Sequence, residues 1–296
     1  MELVKKPGNY KVADMRTIVL YEADFNQNNK LLGRSTMFNA ESLGLLADEQ
    51  YGSRKSHSAI EHGVNKCLTF DLLQQKWHPG SLCSNNAKSC YDCIVHLVAS
   101  ISMQCIGAPL MPIVSMFSTI QHMQHHVRTA YGDSSSTFGG QPNDTPVHGV
   151  GQGNGAGLAI WAVVSSPIIA MMQANGYGTC FSSALSGEEV RFMGYAFVDD
   201  TDLCQTAQKL GETGSDVAAQ LQAAVNCWEG RIRATGGAIV LEKSHWYLVD
   251  FGWRDGQWFY LPMNLSPASL MVKDTTGVRR LVEQLEVSEA QRTLGV

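Results

Sequence analysis

The chain has 296 residues, 44% of them apolar and 17% charged, and a net charge of −5. That composition excludes a disordered chain and suits one large domain or two small ones. Basic and acidic residues balance over residues 1–150, and the whole acidic excess falls after them, so charge alone does not point to a nucleic-acid partner. Eight cysteines without a disulfide-like framework, and no signal peptide, point to an intracellular setting, cytoplasm or nucleus.

Residues 1–12 read as a loose lead-in. Residues 40–47 and 57–74 read as amphipathic helices, the second carried by Ile60, Val64, Leu68, Leu72 and Leu73. His78-Pro79-Gly80 breaks the chain. Ile94, Leu97, Val98 and Ile101 form another helical stripe, and residues 113–127 a further helix. Phe138-Gly139-Gly140 through Pro146 is a turn-rich connector. Residues 158–173 read as mostly helical and mostly buried. The longest apolar stretch, Leu158 to Met172, is interrupted by Ser165-Ser166-Pro167, too short and too broken to span a membrane, so no membrane partner is expected. Residues 216–235 form a helix ended by Gly236-Gly237. Residues 246–260 read as a hairpin turning at Arg254-Asp255-Gly256, and residues 277–292 as a helical stretch.

Phe197-Val198-Asp199-Asp200 carries the chemistry. Apolar residues before the acids and Thr201 after them predict a strand, a tight turn and a returning strand. A turn tip aims two carboxylates at one spot, where a regular strand would send them to opposite faces. Such a pair binds hard divalent cations through oxygen, Mg²⁺ above all and Mn²⁺ second. Taken alone, Asp-Asp more often simply ends a strand. Other segments add to it: Gln50 to Arg54, Ser84 to Asp92, Gly149 to Gly153 followed by Ser166-Pro167, and Gly236 to Ser244. Cys83, Cys90, Cys93 and His96 offer one Cys-x-x-Cys and no second pair, a poor zinc framework. His122, His125 and His126 read as a solvated helix face.

In this order and at these separations the motifs resemble the reverse transcriptases of retrotransposons, those without long terminal repeats in particular, across roughly residues 15–262. The resemblance implies an α+β fold: a polymerase palm, an antiparallel sheet backed by helices, with helical fingers and no thumb. It divides the chain into fingers over 1–80, the first palm strand and helix over 81–105, a fingers and connector part over 106–146, palm with the Asp-Asp hairpin over 147–262, and a tail over 263–296. The implied activity is RNA-templated DNA synthesis from deoxynucleoside triphosphates by two-metal nucleotidyl transfer, with an RNA template and a DNA primer as partners and no stable protein partner to infer. Asp199 and Asp200 would hold the metal. Phe197 and Val198 would flank the substrate. Tyr91 would be the steric gate against a ribose 2′-hydroxyl, Gln152 and Gly153 would face the substrate, Lys243 would protonate the pyrophosphate, and Arg16 and Arg54 would hold the triphosphate. Asp92 is expected to be structural.

One position departs from the pattern. Counting back from Tyr91-Asp92 to the remaining metal ligand gives Asn86, and no Asp or Glu lies between Asp71 and Asp92. A neutral amide does not match a carboxylate bridging two dications, so the copy is expected to be impaired by at least ~10²–10³ in rate. The rivals are a non-catalytic nucleic-acid-binding relic of the same fold, which Asn86 suits and the net acidity does not, and an RNA-templated RNA polymerase, which Tyr91 and the Gly-Gln-Gly loop disfavour.

Overall fold

The computed structural model describes residues 2–4, 16–88, 90–129, 131–140, 147–274 and 276–289. In chain order the elements are β1 (Glu2–Val4), β2 (Arg16–Ile18), α1 (Ala23–Ser42), α2 (Ala59–Lys76), β3 (Gly80–Asn86), α3 (Cys90–Cys93), α4 (His96–Cys105), α5 (Leu110–His122), β4 (Arg128–Thr129) and β5 (Gly132–Asp133). There follow α6 (Gly157–Ala174), β6 (Thr179–Ser182), β7 (Glu189–Phe192), β8 (Gly194–Phe197), β9 (Asp200–Thr206), α7 (Gly214–Ala234), β10 (His245–Val249), β11 (Phe251–Arg254), β12 (Gln257–Tyr260), β13 (Met271–Lys273), β14 (Arg279–Leu281) and β15 (Glu283–Leu285). The chain divides into two compact units, Met1–Leu46 with Ser89–Val164, and Ala47–Lys88 with Ser165–Val296.

The first unit joins a small sheet of order β2-β1-β4-β5 to helices α1, α3, α4 and α5. Ala40, Leu46, Ile106 and Val163 form one of its buried clusters, with Met37 packed against it. Only Ala40–Ser42 of the helix expected over 40–47 is helical; the helix runs instead from Ala23. Its buried positions are Asn29, Gly33, Thr36 and Ala40, a stripe at helical spacing made of small and polar residues. A search for apolar periodicity passes over such a stripe. The lead-in contains β1, and the rest of residues 1–12 lies outside the described residues, as does the connector over 141–146.

The second unit is built on a five-stranded sheet of order β15-β10-β3-β9-β8. β3 and β9 run antiparallel from Gly80↔Thr206 to Asn86↔Asp200. Both are buried along nearly their whole length, as strands covered on both faces are. α7 covers one face: Trp228 Nε1 donates to Asn85 Oδ1 at 3.1 Å, and Asn85 Nδ2 donates to Thr201 O at 2.9 Å. α2 covers the other. Leu82, Tyr195, Cys204, Tyr247 and Leu285 form the core on that side, with Phe70 of α2 packed against it. Both helices open with reciprocal capping boxes, Ser58 with Glu61 and Thr213 with Asp216, which satisfy backbone donors that a helix start leaves open.

Three expectations change. The 246–260 hairpin is shorter: His245–Val249 joins β3 in the central sheet, and only β11 and β12 form the hairpin. The helical stretch over 277–292 is two strands, β14 and β15, and β15 adds to the sheet edge parallel to β10, while residues 290–292 lie outside the described residues. Val278, Leu281, Val282 and Leu285 do have helical spacing, but Val282 and Leu285 are buried and Val278 and Leu281 exposed, because pairing at an open edge overrides local periodicity. Pro167 does not break the apolar stretch, which is the continuous helix α6. α6 is long and apolar enough to cross a membrane by length and composition, yet most of it is buried in the protein.

An ion cluster fastens α2 to β9. Asp202 is 2% exposed, and its Oδ2 lies 2.9 Å from His62 Nε2 and 3.0 Å from Lys66 Nζ. Burial alone would raise the Asp202 carboxyl, but Lys66 and His62 outweigh it and hold it at about 2. Removing one partner of a buried pair costs far more than the pair contributes relative to apolar residues of similar volume. Asp202→Ala is therefore expected to destabilise the protein by about 3–5 kcal/mol in urea unfolding, and Asp202→Leu combined with Lys66→Met to recover most of the loss.

Candidate active site

The second unit carries the carboxylates. β8 and β9 pair from Gly194↔Leu203 to Phe197↔Asp200, leaving Val198 and Asp199 as a two-residue turn. Val198 stands at φ +58°, a left-handed conformation that costs an L-residue roughly 1–2 kcal/mol. Gln50 holds it there. Its Oε1 accepts from Val198 N at 3.0 Å and its Nε2 donates to Val198 O at 3.5 Å and to Ser165 Oγ at 3.2 Å. A strained residue persists where its surroundings over-determine it in this way.

Asn86 reaches the same spot from β3. Its Nδ2 donates to Asp200 Oδ1 at 2.7 Å and to Asp199 Oδ2 at 3.1 Å. On its other side Lys243 Nζ donates to Asn86 Oδ1 at 3.4 Å. These partners set the amide's orientation: turned over, its carbonyl would meet two carboxylates and its NH₂ an ammonium. Burial raises the Asp199 carboxyl, the Asp200 charge adds to the rise, and Asn86 and Lys243 oppose it. The backbone closes the arrangement. Ala87 N donates to Asp199 O at 3.0 Å, Val240 N to Asn86 O at 3.0 Å, and Lys88 N to Ala238 O at 2.7 Å. The segment 236–244 is thus stitched to the end of β3, which brings Lys243 to Asn86.

These residues do not fit a two-ion centre. Two neighbouring dications need several bridging carboxylates. Here there are two, and an amide N–H already bonds both. Among the described residues no group of three or more His, Cys, Asp or Glu could hold an ion.

The other expected substrate-site residues divide between the units. In the second, Arg54 Nη1 donates to Ala47 O at 2.9 Å and Gln50 O at 3.4 Å, bracing the loop that holds Val198. In the first, Arg16 lies in β2, and its side chain is outside the described residues. Tyr91 lies in α3, and the 149–153 loop is bonded to that helix: Val150 N donates to Tyr91 O at 2.7 Å and Gln152 N to Asp92 Oδ1 at 3.2 Å. Burial raises the Asp92 carboxyl, and the Gln152 N–H opposes the rise. The glycines are required here, since a Cβ on Gly149 would lie 2.4 Å from the Asp92 carbonyl. Asn26 of α1 holds the end of the loop and the residues after it, donating to Gly153 O at 3.0 Å and accepting from Gly155 N at 2.7 Å.

His96 has both ring nitrogens engaged, Nε2 with Gly149 O at 2.6 Å and Nδ1 with Gln121 Nε2 at 3.0 Å. The histidines at 122, 125 and 126 are not one helix face. α5 ends at His122, and His125 is buried against Phe138, because the chain turns there into a bridge between those two residues.

Sequence reasoning missed Gln50, His62, Lys66 and Asp202. Gln50 opens a motif that was legible, but an uncharged side chain gives no sign that it will clamp a turn far along the chain.

No family model matches the chain, and no curated protein does. Solved structures do. The chain is similar to apo telomerase from Candida tropicalis truncated from its C-terminal domain, at 14% identity over 80% of this chain and 44% of that one, with a TM-score of 0.50. The chain has a reverse-transcriptase-like fold. It is also similar to apo telomerase from the same organism, at 12% identity over 79% of this chain and 38% of that one, TM-score 0.47. Telomerase from that organism in complex with the TWJ fragment of telomeric RNA matches at 13% identity over 83% of this chain and 40% of that one, TM-score 0.49. The chain spans less than half the length of these telomerase chains.

Gly52 tests the clamp on the turn. A Cβ there would lie 2.3 Å from Val198 N. Gly52→Ala is expected to push the 197–200 turn outward, speed hydrogen exchange at the Val198 amide, and cost roughly 1–3 kcal/mol in urea unfolding. An unchanged exchange rate would show that the turn stands without its clamp.

Proposed function

We propose that this chain is a reverse-transcriptase-type polymerase domain, of the class that copies RNA into DNA, which keeps its hold on template and primer while Asn86 impairs the transfer step. The observation that carries this reading is the Asn86 amide bonded to both Asp199 and Asp200. In a reverse transcriptase palm the two carboxylates at the hairpin tip would hold Mg²⁺ or Mn²⁺ together with a third carboxylate. The amide supplies N–H donors in place of that acceptor, so the two acids are satisfied without an ion. The same resemblance assigns Tyr91, Gln152 and Gly153 to the nucleotide, Arg16 and Arg54 to its triphosphate, and Lys243 to the leaving group.

The net charge of −5 suits a modest, salt-sensitive grip on nucleic acid better than a strong one. A binding-only role in the cytoplasm or nucleus, which Asn86 suits, is the second reading; Tyr91 and the Gly-Gln-Gly loop disfavour an RNA-templated RNA polymerase.

The test is Asn86→Asp, which changes the volume little and returns the missing acid. Deoxynucleotide incorporation on an RNA template with Mg²⁺ is expected to rise by roughly 10²-fold or more, while template binding, measured separately by fluorescence anisotropy, stays within about twofold. Asn86→Asp combined with Asp199→Asn is expected to stay inactive. Should Asn86→Asp bind template and incorporate no better than the unaltered chain, the binding-only role replaces the polymerase reading.

A further inference from the structure

β13 and β14 form a ribbon beside α7, and their register sets like charges side by side. Lys273 stands directly opposite Arg279, so the two side chains leave the same face of the ribbon. Both residues are exposed, and among the described residues neither side chain makes an ion pair or a hydrogen bond. Like charges directly opposite each other destabilise a strand pair. The neighbouring acids do not relieve the clash. Glu229 is buried and accepts from Arg233 Nε at 2.8 Å and from Lys273 N at 3.1 Å. Asp274 ties its own turn, accepting from Thr276 N at 2.9 Å and Val278 N at 3.0 Å, and pairs with Arg280 Nε at 3.2 Å. Residues 271–281 thus hold three basic residues and one acid, in the half of the chain that carries its acidic excess.

The ribbon is fixed to α7 through its backbone. Gln222 donates to Met271 O at 2.8 Å and accepts from Met271 N at 2.7 Å, and Arg233 Nη2 donates to Lys273 O at 3.1 Å and Asp274 O at 2.6 Å. These bonds hold the two cations at the C-terminal end of α7, from which residues 236–244 run back to Asn86. The basic pair therefore stands at the same end of the second unit as Asp199 and Asp200.

We propose that the β13–β14 ribbon grips the sugar–phosphate backbone of a single-stranded nucleic acid, with Lys273 and Arg279 on its phosphate oxygens. A phosphate between the two side chains replaces their repulsion with two attractions, and the arginine fork matches phosphate oxygens in geometry. Contacts of this kind position a strand without reading its sequence, which suits a surface that must hold any template. The inference rests on the reading that the chain binds template and primer, and it gives that grip a place.

Fluorescence anisotropy of the full chain with a labelled single-stranded RNA, over about 50 to 200 mM salt, tests it. Lys273→Ala combined with Arg279→Ala is expected to weaken binding roughly tenfold and to reduce the slope of log K against log salt by about 1.4, two phosphate contacts on a single strand. Arg279→Glu gives the ribbon an opposite-charge pair with Lys273, so it should fold normally by circular dichroism and lose RNA binding to a similar degree. Lys209→Ala combined with Arg254→Ala is the control. Both of these residues are exposed and lie beyond the other end of the sheet, and this pair should leave affinity and slope unchanged. Unaltered affinity and slope in the Lys273 and Arg279 variants, or an equal loss in the control, would overturn the inference and leave the binding reading in place. No RNA binding by the unaltered chain at about 50 mM salt would overturn both.

Discussion

The register of β3 against β9 is the constraint from which the rest of the second unit follows. Side chains alternate along a strand, so a slip of one residue would turn the faces of the slipping strand over and carry Asn86 away from Asp200. Neither strand can slip cheaply, because both faces are covered. From one side Trp228 bonds Asn85, which bonds Thr201 in turn. From the other, His62 and Lys66 bond Asp202, and Thr69 bonds Tyr195. These polar contacts are buried and lie within the last few pairs before the turn. An apolar core alone would tolerate several arrangements of similar volume, whereas a buried donor matched to one acceptor does not.

The turn itself runs against local preference. Val198 has a β-branched side chain at a backbone angle that suits glycine, and Asp199 and Asp200 bring like charges together at its tip. Gln50 answers the first difficulty by bonding both the N–H and the C=O of Val198. Asn86 answers the second, since one NH₂ group offers two donors and two carboxylates take them. Each hydrogen bond to a charged acceptor contributes about 1.5–3 kcal/mol, which opposes the repulsion between the two acids. Lys243 completes the charge pattern by standing behind the amide carbonyl.

Much of this was legible in the chain itself, and the failures have physical causes. α2 and α7 show apolar spacing and side chains able to cap their starts, so their limits were readable to within a few residues, but the face was not: Ile60, Val64 and Leu68 of α2 are exposed, and its buried positions are His62, Thr69 and Leu73. The Asp pair and its turn were readable because strand, acids and strand follow one another locally. Asn86 was readable only through the resemblance, which says where an acid ought to stand. α1 was not, because its buried face is Asn29, Gly33, Thr36 and Ala40, residues that fit close helix approach rather than apolar burial. A Cβ on Gly33 would lie 2.9 Å from the Ala156 Cα. The chain end was misread because its spacing satisfies a helix, while the open edge of β10 offered a strand more partners. The Asp202 cluster joins residues distant in sequence, and local spacing carries no trace of such a pairing.

On the proposed reading, an isosteric change at one ligand would let a polymerase fold outlive its chemistry. Asn and Asp have nearly the same volume, so the packing around Asn86 has nothing to repair. Asp carries a charge that would have to be balanced in a site already holding two acids, and the amide removes that burden while keeping a hydrogen bond to each. An Asp-to-Asn change there would therefore cost the fold little, while removing the anion that two-ion chemistry needs. The 149–153 loop is fixed by Tyr91, Asp92 and Asn26 through its own hydrogen bonds. Loss of transfer chemistry at Asn86 and retention of the surrounding scaffold would thus be separable on energetic grounds.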